Sequence, residues 1–288
     1  MFKHLPIVII LAASASAFAD MQQAQLAFKK GDHEAAIKEF TALGNAGDIS
    51  AQIMLGALYS KGGAIPRDDQ AAAIWFQKAA QQGNPEAQYQ LGNLYEDSRL
   101  PQNYSEALRW YEKAAQKGLA KAQVRLGNLY NRGLGVAQNH SEAVLWFGKA
   151  ALQNNAEAQY SLGLMYALGK GFPKNDQLAI GWLTKSAAQG YADAELLLGD
   201  IYLTGASTHR RPVLAYALYD LAINHHTTIL KDAIKKRDRL GKQLTPEQMQ
   251  YSKQLIAEFN KPGNFSNTIN SYLEKSDQMF RFFDRPNQ

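Results

Sequence analysis

The sequence contains no cysteine. That rules out a disulfide scaffold, a thiolate metal site and a cysteine nucleophile. It also rules out lipoprotein anchoring, which needs a cysteine at the cleavage site. The familiar catalytic patterns are missing too: there is no H-E-x-x-H, no G-x-S-x-G and no S-x-x-K. The stretch from Gly163 to Lys170 resembles a phosphate-binding loop only superficially. Its spacing is off by one, no Ser or Thr follows the lysine, and no strand precedes it. His33, His140 and His209 are scattered, and His4 lies in the leader described below. His225 and His226 are adjacent, so on a helix they point about 100° apart and cannot easily share a metal; they are expected to end the last repeat helix. No catalytic residue, metal or cofactor is therefore expected.

Long apolar runs are scarce as well. Spanning a bilayer takes about 20 apolar residues, and nothing beyond the first stretch approaches that. The first stretch carries Lys3, an apolar and small-residue run over 5–15, and the A-x-A pattern Ala17-Phe18-Ala19. A secretory signal peptide over 1–19, cut before Asp20, is expected, and hence a periplasmic or secreted protein. The alternative, a retained anchor, is poorly served by so short a run.

Net charge is also nearly absent from most of the chain. Residues 1–208 balance, while 209–288 hold 13 Lys/Arg against 8 Asp/Glu, which is the whole +5 excess. The excess includes His209-Arg210-Arg211 and Lys235-Lys236-Arg237. It reads as a solvated helix face or as a surface for an anionic partner such as cell-wall polymer. Nucleic acid is not an expected partner of an exported protein. With 46% hydrophobic and 20% charged residues, the chain is not composed like a disordered one.

What the sequence does have is a period. Trp75-Phe76-Gln77-Lys78-Ala79-Ala80 returns as Trp110-Tyr111-Glu112-Lys113-Ala114-Ala115, then as Trp146-Phe147-Gly148-Lys149-Ala150-Ala151, and more weakly as Trp182-Leu183-Thr184-Lys185-Ser186-Ala187. The four tryptophans, all that the chain has, are spaced 35, 36 and 36 residues apart. Period-locked residues of this kind mark a repeat architecture, in which each unit buries its apolar face by stacking on the next.

A second theme lies upstream of each tryptophan. Leu55-Gly56-Ala57-Leu58-Tyr59 recurs as Leu91-Gly92-Asn93-Leu94-Tyr95, Leu126-Gly127-Asn128-Leu129-Tyr130, Leu162-Gly163-Leu164-Met165-Tyr166 and Leu198-Gly199-Asp200-Ile201-Tyr202. With Ala51, Ala87, Ala122, Ala158 and Ala194 four residues ahead of the leucine, the i, i+4, i+7 spacing makes one helix face. A helical glycine costs up to ~1 kcal/mol against alanine. Gly56, Gly92, Gly127 and Gly163 therefore call for a packing reason, close approach of the paired helix. Glycine-rich loops follow, each with an apolar residue (Ile65, Val136, Phe172) expected to tuck into the core. Asp68, Asn103, Asn139 and Asn175 are placed to cap the second helix. Gly83, Gly118, Asn154 and Gly190 end it with types that tolerate positive φ. Trp75, Trp110, Trp146 and Trp182, with Tyr59, Tyr95, Tyr130 and Tyr166, are read as packing in the repeat core.

The whole pattern, A-x-x-x-L-G-x-L-Y…G-x-G-V…A-x-x-W-F-x-K-A-A-x-x-G, resembles the Sel-one-like repeat (SLR), a relative of the tetratricopeptide repeat. The resemblance implies an all-α fold, a right-handed α-α superhelical solenoid of helix-turn-helix units. The expected organisation is a tetratricopeptide-like helix pair over 20–50 and five units over 51–226 (51–86, 87–121, 122–157, 158–193 and 194–226). Capping helices over 227–260 follow, then a tail over 261–288. The fifth unit departs from the pattern, with Leu218 at the tryptophan position. In the capping region Thr245-Pro246-Glu247-Gln248 is a helix start signal. The tail carries Ile269, Tyr272, Leu273, Phe280 and Phe283 at roughly helical spacing and is expected to form a short helix that caps the array, the alternative being an exposed segment that binds a partner.

SLR and tetratricopeptide families commonly hold a peptide or protein segment on the concave surface built from first helices. The resemblance thus implies a non-catalytic scaffold for protein–protein interaction, in an envelope complex or in host contact. The variable polar stripe on those helices is Gln90, Asn93, Asp97, Arg125, Asn128 and Arg132, the expected partner contacts. Two alternatives stand. Some cysteine-rich SLR proteins are associated with β-lactam hydrolysis, but this chain has neither their cysteines nor a serine-lysine motif. A binder of anionic wall polymer through the basic C-terminal part is the other.

Overall fold

The computed structural model describes residues 20–97, 101–205, 210–225 and 231–283, with side chains as far as Ser276. Expectations for residues 1–19, 98–100 and 206–209, for His226 and for the side chains of Phe280 and Phe283 lie outside the described residues. The regular elements described are all α-helices. The chain divides into two compact units, Met1–Gln138 and Asn139–Gln288.

The first unit holds α1 (20–29), α2 (His33–Asn45), α3 (Ile49–Lys61), α4 (Asp69–Gln81), α5 (Pro85–Glu96), α6 (Tyr104–Gln116) and α7 (Ala120–Arg132). From α2 onward each helix packs on the next. The second unit holds α8 (His140–Leu152), α9 (Ala156–Leu168), α10 (Asp176–Ala187), α11 (Ala192–Thr204), α12 (Pro212–His225), α13 (Lys231–Gly241), α14 (Pro246–Phe259) and α15 (Phe265–Phe283). The consecutive packing continues from α8 to α13.

Local sequence sets the helix ends. Asp68, Asn103, Asn139 and Asn175 each accept a backbone N–H of the first turn of the following helix, which satisfies donors the helix itself cannot. Asp48, Asn84 and Asn155 do the same for α3, α5 and α9. These caps start the first helices two residues before the repeat alanines. Asn154, at φ 62°, is the one non-glycine residue with positive φ among the described residues.

The repeating glycine admits a side chain from its partner helix. A Cβ on Gly56 would lie 2.7 Å from the Phe76 ring, on Gly92 2.5 Å from Tyr111, on Gly163 2.7 Å from Leu183 and on Gly199 2.7 Å from Tyr219. The buried spacer is thus the residue after each tryptophan. The tryptophans pack beside it, in or against the core. Trp110 is buried, but Trp75, Trp146 and Trp182 are half-buried. Their rings carry the lysine one turn on, Lys78, Lys113, Lys149 and Lys185, with Nζ 3.7 to 4.4 Å from the ring centroid. An indole that is apolar below and cation-covered above belongs at the edge of a core. Tyr59, Tyr95, Tyr130 and Tyr166 are half-buried too. The loop residues Ile65 and Val136 are half-buried, whereas Phe172 is 39% exposed and stacks on Tyr166 at 5.5 Å.

A buried polar ladder accompanies the apolar one. Gln52, Gln88, Gln123 and Gln159 are each buried and donate Nε2 to the carbonyl eight residues back, on Gly44, Ala80, Ala115 and Ala151, at 2.8 to 3.3 Å. Each bond ties a first helix to the end of the preceding second helix. Glu195 holds the same register in the fifth repeat. Its Oε1 lies 2.8 Å from His225 Nδ1, and its Oε2 is buried with no hydrogen-bond partner among the described residues.

At the C-terminal end α13 and α14 both pack on α12. Thr245 and Gln248 form the reciprocal capping box at the start of α14. The tail helix begins at Phe265 and runs for 19 residues, longer than expected. Phe265, Ile269 and Tyr272, at i, i+4 and i+7, are buried in one core with Leu198, Leu218, Leu255 and Phe259. Full burial of each such side chain is worth about 1.5–3 kcal/mol, enough to hold the helix down.

Candidate functional site

A groove of about 490 Å³ opens in the first unit between the outer faces of α3 and α5. Ile53, Ala57 and Ser60 line it from α3 at i, i+4 and i+7, and Glu86 and Gln90 line it from α5. Phe76 lies at its floor, below the gap that Gly56 leaves. Lys61 and Arg67 flank it, the latter held in a bidentate pair with Asp69 at 2.6 to 3.2 Å.

The polar stripe leading from the groove is internally bonded. Gln90 donates to Glu86 at 2.8 Å, Asn93 to Gln90 at 3.4 Å, and the Tyr111 hydroxyl lies 2.7 Å from Asn93 Oδ1 and 2.6 Å from Glu96 Oε2. Tyr111 is fully buried. Burial first, then its hydrogen bond to Glu96, push its pKa far up, with the charge of Arg125 opposing, so it acts as a neutral donor. The chain of bonds fixes rotamers of Gln90 and Asn93 that would otherwise wander in solvent. Such fixing lowers the ordering cost of engaging a ligand.

The structure thus brings Gln90 and Asn93 together beside a groove and places the Arg125 charge within reach of Tyr111. Asn128 is half-buried on α7. Asp97, the C-cap of α5, and Arg132, in the last turn of α7, are exposed at helix ends, away from the residues that line the groove. Sequence reasoning missed Ile53, Ala57, Ser60 and Glu86. The period itself was the signal for Ala57, which stands 36 residues before Asn93 and 71 before Asn128. Glu96 and Tyr111 were hidden because only packing turns a buried ring toward the stripe.

Several cations of the basic C-terminal part have carboxylate partners. Lys236 pairs with Asp200 at 2.7 Å, Arg237 with Asp220 and Asp238, and Lys261 with Glu258; Arg211 is buried. No cluster of three His, Asp or Glu able to hold a metal occurs among the described residues. No described helix is long and apolar enough to cross a membrane.

Five consecutive matches to the Sel1 repeat model cover residues 49–84, 85–119, 120–155, 156–191 and 192–226. The first four start where α3, α5, α7 and α9 start, and the fifth where α11 does. Among solved structures, a Sel1 repeat protein from Oxalobacter formigenes aligns with a TM-score of 0.69 at 28% identity, over 82% of this chain and 95% of that one. A second, c5321, a protective antigen present in uropathogenic Escherichia coli strains and displaying an SLR fold, aligns with a TM-score of 0.54 at 26% identity. That alignment takes in 89% of this chain and 63% of c5321. No curated protein matches.

Proposed function

This chain belongs to the Sel1 repeat family, whose members are generally non-catalytic scaffolds for protein interaction, and from that premise we propose that it holds a peptide or protein segment along the first-helix face of residues 49–132. The observation that carries the reading is the bonded stripe Glu86–Gln90–Asn93–Tyr111–Glu96 beside an open groove. An apolar floor with pre-set amide donors and acceptors suits an extended segment that offers alternating backbone polar groups and small apolar side chains. Arg125 and Asn128 extend the contact onto α7.

The protein works, in this proposal, outside the cytoplasm. The leader-like residues 1–19 and the absence of cysteine support export, and the resemblance to a protective antigen supports host contact as one setting. The paired cations of the C-terminal part speak against wall-polymer binding by bulk charge. A purified sample is expected to leave nitrocefin intact.

A photo-crosslinking residue at Ala57, in the groove, tests the site against the same residue at Gln77, exposed on α4. Discrete adducts at 57 that the Gln90/Asn93 double alanine variant abolishes support it; equal adducts at both positions overturn it. Export is tested separately. N-terminal sequencing of the protein from a periplasmic or culture fraction is expected to begin at Asp20, and an unprocessed cytoplasmic chain overturns that part alone.

A further inference from the structure

The C-terminal region has a cavity that the repeat scaffold does not need. α13 and α14 both pack on α12. About 860 Å³ of space opens among α12, α13, α14 and α15. Its lining is aliphatic and aromatic: Val213 from α12, Leu240 from α13, Leu244 from the following turn and Tyr272 from α15. Arg210, Lys275 and Ser276 contribute polar groups on one side and Gln243, Gln248 and Tyr251 on the other, and no Asp or Glu is among its described lining residues.

The contrast with neighbouring cations is the informative point. Lys236, Arg237 and Lys261 are each held by a carboxylate. Arg210 is anchored through Nε to the Leu203 carbonyl at 3.1 Å, a bond that fixes the guanidinium without neutralising it. Beside it the buried Arg211 donates to the Ser276 hydroxyl, which ties α15 to the start of α12. An apolar chamber of this volume with a few convergent polar groups has the form of a small-ligand site, and its charge selects the sign of the ligand's head.

We propose that this cavity binds one molecule of a single-chain amphiphile with a carboxylate head, the chain among Val213, Leu240, Leu244 and Tyr272 and the head between Arg210 and Lys275. The site lies at the C-terminal end of the array, between α12 of the fifth repeat and the helices that follow it, and shares no residue with the groove in the first unit. It would make the C-terminal region a ligand-responsive end of the scaffold, since Val213 and Leu244 pack in the same core as Tyr272 of α15.

The test is titration calorimetry of the full chain with dodecanoate below its micelle concentration, with octanoate and dodecyltrimethylammonium as comparisons. Dodecanoate is expected to bind one to one. Each methylene removed from a buried chain weakens binding about fourfold, so octanoate is expected to bind on the order of a hundredfold more weakly. Arg210→Ala with Lys275→Ala is expected to weaken dodecanoate about tenfold or more, while Lys253→Ala, exposed on α14, leaves it unchanged. Leu244→Glu puts a carboxylate into the chamber from a turn and is expected to abolish binding with helical circular dichroism intact. If Leu244→Glu fails to fold, Leu244→Trp and the head-group variant carry the test. Equal binding of the cationic amphiphile, indifference to both cavity variants, or no dodecanoate uptake overturns the proposal. Attachment to phosphatidylglycerol vesicles without uptake of dodecanoate also overturns it, in favour of surface binding.

Discussion

Replacing Glu195 by glutamine is expected to stabilise the protein, increasingly so as pH rises. Four repeats place a glutamine in this register, and its Nε2 donates to the carbonyl eight residues back. In the fifth repeat that carbonyl belongs to Ala187, and the buried carboxylate has no proton to offer it. Glu195→Gln gains one neutral hydrogen bond, worth about 1 kcal/mol, and relieves an unsatisfied buried oxygen that costs about 1–3 kcal/mol. Against this, the charge-assisted contact with His225 at 2.8 Å becomes a neutral one, a loss of about 1 kcal/mol. The net is a gain of about 1–3 kcal/mol at neutral pH, or a Tm higher by about 4 °C for a chain of this size. Burial raises the carboxyl pKa above the ordinary 4.5 of a glutamate, with His225 opposing. The unfolded chain therefore loses its proton first as pH rises. Stability that the protonated carboxyl provides is complete below 4.5 and declines as pH climbs through the raised folded value. Protonated, Glu195 is a near-isostere of glutamine and can donate as the ladder requires. The two proteins should thus melt alike near pH 4.5 and diverge toward pH 8. Calorimetric melting across that range is the assay. A wild type more stable than the variant at pH 8, or a gap independent of pH, refutes the reasoning.

Three further outcomes follow from the same geometry. Gly92→Ala sets a Cβ 2.5 Å from the Tyr111 ring and should cost about 1–3 kcal/mol by overpacking, whereas Gly181→Ala, with nothing within 4 Å, should gain about 0.5–1 kcal/mol from helix propensity; urea melts that move both variants the same way would refute the spacer role. Gln123→Ala removes the side-chain donor to the Ala115 carbonyl, which keeps the Gly118 N–H, and should cost about 0.5–1.5 kcal/mol, with faster amide exchange at the start of α7. Asn154→Gly relaxes the residue at φ 62° but removes the Oδ1 acceptor of Gln159 and Gln189; two lost bonds outweigh the relief, and the variant should lose up to about 1 kcal/mol net, read as a fall in midpoint without change in m-value.

The residues that depend on near neighbours were legible in the sequence. Caps at Asp68, Asn103, Asn139 and Asn175, the positive-φ stop at Asn154 and the capping box at Thr245 follow from backbone donors and acceptors within one turn, so local identity suffices to place them. The period located the repeats because each unit must present the same face to the next. What the period could not show is which member of a repeated pair is buried. Trp75 and Phe76 are neighbours in sequence, and about 100° of helix rotation sends one to the cation-covered edge and the other against Gly56.

The candidate groove was half legible for the same reason. Gln90 and Asn93 stand out as polar variations on a fixed frame. Ala57 and Glu86 come to face each other only because α3 and α5, 36 residues apart in their registers, are laid side by side by the helix between them. The fate of the basic C-terminal residues was likewise settled by tertiary structure, which matched Lys236 and Arg237 to acids 36 and 17 residues away. Composition and periodicity by themselves determined an all-α repeat protein, because burying a repeated apolar face against itself has few solutions. Which charges are spent, which rings are sealed and where space is left open were decided by long-range packing, since each depends on the distance between side chains that the linear chain keeps far apart.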